Sequence, residues 1–248
     1  MLTTVARFDT MRFPSRFVGP MPEWTNGGVV AGTLAEALGH GPVTVRLERP
    51  IPVETDLALE VVGDIVELRD GTGERLAVGR HVEHLDLDEI GLPRFVAVEA
   101  ASRTASAVPR DSHPASTCFV CGPRHPSGLD LQPGPVARGV GLATTLHLRA
   151  DLALGPHGLV TPPVVWAAMD CPGWYAGCGG EMALLGTMTA EQRSAVHAGD
   201  DLVVQSWQRH ADGRKVHVGS ALWTPDAQLV AVATAVWITT PDLARGVG

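Results

Sequence analysis

The stretch that most restricts how this chain can fold is Asn26-Gly27-Gly28 followed by Val29-Val30-Ala31-Gly32-Thr33-Leu34-Ala35-Glu36-Ala37-Leu38. Asn is a preferred helix cap, and the run ends at Gly39-His40-Gly41-Pro42, where helices commonly stop. Between these signals lies a short helix that is apolar on almost every side, so no face of it can be turned to water. It has to be enclosed, and a strongly curved antiparallel sheet wrapped around it meets that demand. The Gly pair adds a second property. With no Cβ atoms at the helix mouth, backbone N–H groups are bare and a ligand can approach closely, as in an oxyanion site.

The flanking sequence supplies such a sheet. Residues 43–50 and 57–62 alternate at a period of two, and residues 65–69 and 75–82 flank the turn Asp70-Gly71-Thr72-Gly73, as in a hairpin. Residues 99–114 then turn to Ala, Ser, Arg and Pro without apolar periodicity, which marks a linker. Beyond it the plan recurs. A strand over 141–148 leads to Thr161-Pro162-Pro163-Val164-Val165-Trp166-Ala167-Ala168-Met169-Asp170, where proline suits the first helical turn. Strands over 202–207, 215–223 and 229–238 complete the meander, with a turn at Ala211-Asp212-Gly213. Gly28-Val29-Val30 aligns over Pro163-Val164-Val165, and Glu54-Thr55-Asp56-Leu57 over Gly199-Asp200-Asp201-Leu202. These landmarks predict an α+β fold built twice, with units at 1–105 and 106–248.

Composition narrows the function. The formal charge is −8 with no basic block, which speaks against a nucleic-acid partner, and Lys215 is the only lysine. A phosphate-bearing ligand would have to be held by guanidinium or backbone N–H groups, which is compatible with a coenzyme A thioester. The opening residues, 1–9, carry no signal-peptide core, and no run reaches the roughly 18 apolar residues of a membrane span. A soluble cytoplasmic protein with no membrane partner is expected. Cys118, Cys121, Cys171 and Cys178 are too few for a disulfide scaffold and suit a reducing compartment.

Two enclosed helices, each wrapped by a meander, resemble the double-hotdog acyl-CoA thioesterase-like proteins over nearly the whole chain. The residues that carry the resemblance are Asn26-Gly27-Gly28-Val29-Val30-Ala31, Arg49-Pro50-Ile51-Pro52-Val53, Cys118-Phe119-Val120-Cys121-Gly122-Pro123 with Gly128-Leu129, and Gly213-Arg214-Lys215. Such proteins take an oxyanion donor from a Gly at the central helix and a carboxylate from the partner unit's helix. The resemblance therefore implies that Gly27 or Gly28 polarises the thioester carbonyl and that Asp170 is base or nucleophile. Asn26 would cap the helix and touch the acyl carbonyl, while Gly27, Thr161, Trp166 and Thr187 are the candidate substrate contacts. Asp170 lies nine residues after Thr161, the step found in single-hotdog relatives, whereas the same step from Asn26 lands on Ala35. Each half keeps what the other lacks. No resident cofactor is implied, and association into a dimer or trimer follows by analogy.

Departures from the pattern limit this reading. Thioesterases of the acyl-CoA thioesterase II type join an Asp to a Thr and a Gln; Asp170 and loosely Thr187 supply two, but Ala235 stands where Gln is expected. A non-catalytic acyl or acyl-CoA binding protein is the alternative. Asp170 precedes Cys171-Pro172, where a helix would kink or end, so an exposed helix-end carboxylate competes with a poorly solvated base flanked by Trp166 to Met169. Asp151 and His157 resemble a hotdog hydratase pair with one extra residue of spacing. Ser116, Ser127 and Ser206 sit in no nucleophile-elbow pattern. Cys118 and Cys121 could chelate, but zinc needs two more ligands from Cys171, Cys178, His113 or His125, and a buried turn without metal is expected.

Overall fold

The computed structural model describes residues 7–39, 41–137 and 140–240; the leader reading at residues 1–6 and the His40 part of the helix stop lie outside them. The first half contains β1 (Arg7–Met11), α1 (Gly27–Leu38), β2 (Val43–Leu47), β3 (Leu57–Val62), β4 (Ile65–Arg69) and β5 (Arg75–His81). A single helical turn, α2 (Val98–Ala101), and the two-residue β6 (Gly134–Pro135) lead into β7 (Leu142–His147) and β8 (Leu159–Val160). The second half continues with α3 (Pro162–Cys178), β9 (Ala183–Gln192), β10 (Val196–His197), β11 (Asp201–Asp212), β12 (Lys215–Trp223) and β13 (Leu229–Thr239).

Eleven strands form one sheet in the order β1-β3-β4-β5-β2-β9-β13-β12-β11-β7-β6, with every pairing antiparallel. Counting only strands of this sheet and leaving out the separate β8–β10 pair, both halves read outward from the β2–β9 junction in the same sequence: the first strand after the helix, then the fourth, third and second, then the last strand before the helix. The aligned landmarks agree in backbone as well. Glu54 and Gly199 both have positive φ, 54° and 97°, just before β3 and β11. α1 packs on β2, β4, β5 and β9, and α3 on β7, β9, β11, β12 and β13. Both helices are thus covered by sheet, as their lack of a polar face requires. No helix among the described residues is long and apolar enough to cross a membrane.

Three sequence expectations need correction. α3 does not end before Pro172 but runs through it to Cys178, so Asp170 is an interior residue and 1% exposed. Pro172 is itself buried, and the packed surroundings hold the helix together although the ring removes one hydrogen bond. β9, which joins the halves, was not anticipated: its alternation is interrupted by Gly186, next to a register shift in its pairing with β13. β1, which lies before Pro14, was not anticipated either.

The helices touch through backbone. A Cβ on Gly28 would lie 2.6 Å from Asp170 Cβ and 2.7 Å from Ala167 Cα, and one on Gly32 would lie 2.4 Å from the Pro162 carbonyl oxygen and 2.6 Å from Pro163 Cα. Neither main chain can yield without moving a helix. Gly32→Ala is expected to cost about 1–3 kcal/mol, the usual range for overpacking, read as a lower urea midpoint with an unchanged slope. An unchanged midpoint would show that the helices separate freely.

Candidate active site

The close crossing of α1 and α3 brings together residues far apart in sequence. Asn26 caps α1 by accepting the Val29 N–H on Oδ1 at 3.0 Å, and its Nδ2 donates to Asp170 Oδ2 at 3.0 Å. The Gly28 N–H donates to the same Oδ2 at 2.9 Å. Asp170 Oδ1 is buried and has no partner among the described residues. With Oδ2 saturated by two donors, a proton taken up by this carboxyl belongs on Oδ1. Burial pushes the Asp170 pKa up to about 7, against the opposing pull of the Gly28 N–H; charge on Cys118 raises it further and the Asn26 amide lowers it. The group therefore changes protonation near neutrality, as a general acid or base must.

Asp170 lines a cavity of about 290 Å³ that opens between the halves. Its wall is largely apolar, with Trp24, Ile51, Trp174, Leu185 and Trp237, and Gly27 also lines it. Arg49, exposed, is at the rim. The Gly27 N–H precedes the helix's own hydrogen bonds and donates to no backbone or side-chain acceptor among the described residues. This changes the expected division of labour. Gly28 spends its N–H on Asp170, and Gly27 is the donor that remains for a ligand.

Asn26→Ala removes one donor from the Asp170 carboxylate and the cap from α1. The Asp170 carboxyl should then titrate above its wild-type value, seen in the pH dependence of its 13C resonance, with a stability loss of about 1–2 kcal/mol. An unmoved or lowered midpoint would contradict the bond to Oδ2.

No protein-family model and no curated protein matches this sequence. Solved structures do match along nearly the whole chain. A conserved protein of unknown function with a hot dog fold from Alicyclobacillus acidocaldarius is 12% identical with a TM-score of 0.58, covering 94% of this chain and 93% of its own. The tesB protein of Mycobacterium avium subspecies paratuberculosis is 14% identical with a TM-score of 0.59, covering 94% and 93%. An acyl-CoA thioesterase II, TesB2, from Mycobacterium marinum is 11% identical with a TM-score of 0.56, also covering 94% and 93%. The chain has a hotdog fold.

Within this hotdog the remaining sequence candidates are spread more widely. Thr161 is 7% exposed and precedes α3, but its Oγ1 has no partner among the described residues and it is not part of the cavity wall. Trp166 is buried in the core, and it is its main-chain carbonyl that faces Gly28. Thr187 lies one step beyond Gly186 on β9, opposite Arg46 and Val236, and does not line the cavity. Thr161 and Trp166 are buried and Thr187 is half-buried on β9 beside the inward-facing Met188, placements that a linear motif does not reveal. Ala235 is buried and pairs with Met188, so that point of the hotdog sheet offers no polar group. Asp151 is held by Arg149 at 3.0 Å on the surface and His157 is exposed, both outside the cavity wall.

At the other end of the helix pair, Pro162 and Pro163 occupy the positions aligned with Gly27 and Gly28, and Ala35 the one aligned with Asp170. Prolines have no N–H and alanine no carboxylate. The hotdog's second, pseudo-equivalent position therefore lacks both groups.

The cysteine motif is the part whose placement the sequence missed. Cys118 and Cys121 reach the cavity because the Phe119 N–H donates to the Val18 carbonyl at 2.8 Å and the Phe119 ring meets Phe17 edge-on at 5.0 Å. Cys171, next to Asp170, comes from the other side, and the three sulfurs lie within 4.8 Å of one another. The Cys121 and Cys171 thiols both face Cys118, which favours negative charge on Cys118 and pushes the other two up. Cys178 is outside this group. A fixed spacing for the third thiol does not exist, so only the helix crossing could reveal it.

Proposed function

We propose that this protein hydrolyses an acyl thioester, with coenzyme A as the carrier, in the cavity between two hotdog units that divide near residue 105. The reading is carried by one observation: Asp170, whose Oδ1 has no partner among the described residues, shares a cavity wall with Gly27, whose N–H donates to no acceptor among them. The acyl carbonyl oxygen accepts the Gly27 N–H. Asp170, as carboxylate, takes a proton through Oδ1 from a water as that water's oxygen bonds to the carbonyl carbon. The resulting oxyanion is held by Gly27. When it collapses, the carbon–sulfur bond breaks and the Oδ1 proton passes to the departing thiolate, giving a carboxylic acid and free coenzyme A. The apolar wall suits the acyl group, and Arg49 at the rim suits the carrier's phosphates.

The thioesterase names of the similar structures support the substrate class, and the apolar lining supports an acyl group without polar substituents. The experiment is hydrolysis of an acyl-CoA panel, with Asp170→Asn beside wild type. Turnover that disappears in the variant supports the proposal. A second reading, a binding protein without turnover, is favoured by Ala235, which supplies no third polar group. Acyl-CoA binding by wild type with no hydrolysis at any chain length would establish it instead.

A further inference from the structure

We infer that Cys118, Cys121 and Cys171 form a three-sulfur site for a thiophilic divalent metal, with zinc the best fit, whose fourth position opens to the cavity. The inference stands apart from the hydrolase reading, because it concerns what the sulfurs bind and is read without turnover.

The sulfur geometry comes first. The three Sγ atoms lie within 4.8 Å of one another, and those of Cys118 and Cys171 are 3.7 Å apart. Zinc bound to sulfur at about 2.3 Å in a tetrahedron spaces its ligands about 3.8 Å apart. A disulfide would need about 2.0 Å. The observed separation, which between two thiols is a hydrogen bond, matches the spacing of two ligands on one ion.

The local backbone is built to keep two of these sulfurs together. The Gly122 N–H donates to the Cys118 carbonyl at 2.8 Å, and a Cβ on Gly122 would lie 2.4 Å from Cys118 N and 2.5 Å from its oxygen. Only glycine closes a turn this tight. The turn is then pinned from behind, with Leu129 N–H on the Phe119 carbonyl at 2.7 Å, Leu131 N–H on that of Val120 at 2.9 Å, and Gln132 Nε2 on that of Cys121 at 2.7 Å. A pair of sulfurs held this rigidly loses little freedom on meeting an ion.

The surroundings also fit thiolate ligands. Asn26 Nδ2 lies 3.8 Å from Cys118 Sγ and 3.7 Å from Cys171 Sγ, so amide hydrogens face the sulfurs, as outer partners of metal-bound thiolates do. An all-sulfur set selects zinc or another soft ion over magnesium and calcium, which prefer oxygen. No histidine nitrogen or carboxylate oxygen among the described residues joins the three sulfurs within 4.8 Å, the partnerless Asp170 Oδ1 included. His113 accepts the Ala115 N–H on Nδ1 and shares Nε2 with the Tyr175 hydroxyl, while Asp170 Oδ2 is held by Gly28 and Asn26. Since all three cysteines line the cavity, the fourth position falls to water or to a ligand from that side.

The test uses the tag-free full chain, reduced with a phosphine and stripped with a chelator, then titrated with Co2+ as a spectroscopic stand-in for zinc. Sulfur-to-cobalt charge-transfer bands in the near ultraviolet and tetrahedral d–d bands in the visible are expected, reversed by added Zn2+. Cys118→Ser, Cys121→Ser and Cys171→Ser should each lose most of the charge-transfer intensity, while Cys178→Ser keeps it. Circular dichroism checks the fold of each variant. If a variant fails to fold, the wild-type titration still decides. Absence of charge-transfer bands at saturating cobalt, or bands of equal strength in all four variants, overturns the site. Metal binding without hydrolysis would defeat only the proposed function, and hydrolysis by a chain that binds no metal only this inference.

Discussion

Asp170→Asn is expected to lower kcat/KM for acyl-CoA by about 10²- to 10⁴-fold, the usual contribution of a positioned acid or base. The substitution is close to silent structurally. Its amide oxygen can accept the Gly28 and Asn26 donors that now serve Oδ2, so α1 and α3 keep their crossing. What is lost is the ability of Oδ1 to take and return a proton. The wild-type rate should rise with pH through about 7 and then level, because the carboxylate is the form that accepts the water proton. KM should change little, since the apolar wall is intact. A variant that retains wild-type kcat with the same pH profile would remove Asp170 from the mechanism.

The second large effect is on stability, and its sign is opposite. Asp170 titrates at about 7 in the folded protein against an ordinary 3.8, so the folded state holds its proton more tightly than the unfolded state does. Its contribution is fully present below about pH 4 and is lost as the pH rises to 7, above which the difference is constant. At about 1.4 kcal/mol for each pH unit separating the two states, this is on the order of 4 kcal/mol. Asp170→Asn carries no such slope. Relative to wild type, the variant should therefore gain stability between pH 4 and 7 and keep the advantage at pH 8. At roughly 2–4 °C per kcal/mol, a Tm difference near 10 °C is expected at pH 8 and little at pH 4, measured on chelator-stripped protein. Equal Tm differences at both pH values would mean that the buried carboxyl is not perturbed. A residue that weakens the fold as it ionises and yet remains at the cavity wall is what a functional carboxylate looks like.

Much of the architecture was legible in the chain. The apolar runs at Val29 and at Val164 demanded enclosure, and the alternation over 57–62, 65–69, 215–223 and 229–238 located strands that the structure contains. The nine-residue step singled out Asp170 over Ala35 before any contact was known. Less of the site was legible. Gly27 and Gly28 looked interchangeable as donors, because sequence shows that an N–H is bare at a helix start but not what the neighbouring helix aims at it. Thr161 and Trp166 were chosen beside Asp170 along the chain and Thr187 from the resemblance; the first two are buried, Thr187 is half-buried, and none lines the cavity. β9 escaped because its period breaks at Gly186, where the sheet shifts register.

The sequence by itself determined that two helices without a polar face must be wrapped in sheet, and that one half keeps the helix-mouth N–H groups while the other keeps the carboxylate. The first is a property of composition and period, which act locally; the second was implied by the resemblance to hotdog thioesterases. Tertiary structure alone decided which N–H meets the carboxylate, which one stays free, and that Cys171 joins Cys118 and Cys121. Each of these depends on α1 and α3 crossing at backbone contact over Gly28 and Gly32, a geometry set by packing between segments about 140 residues apart in which no residue announces its partner.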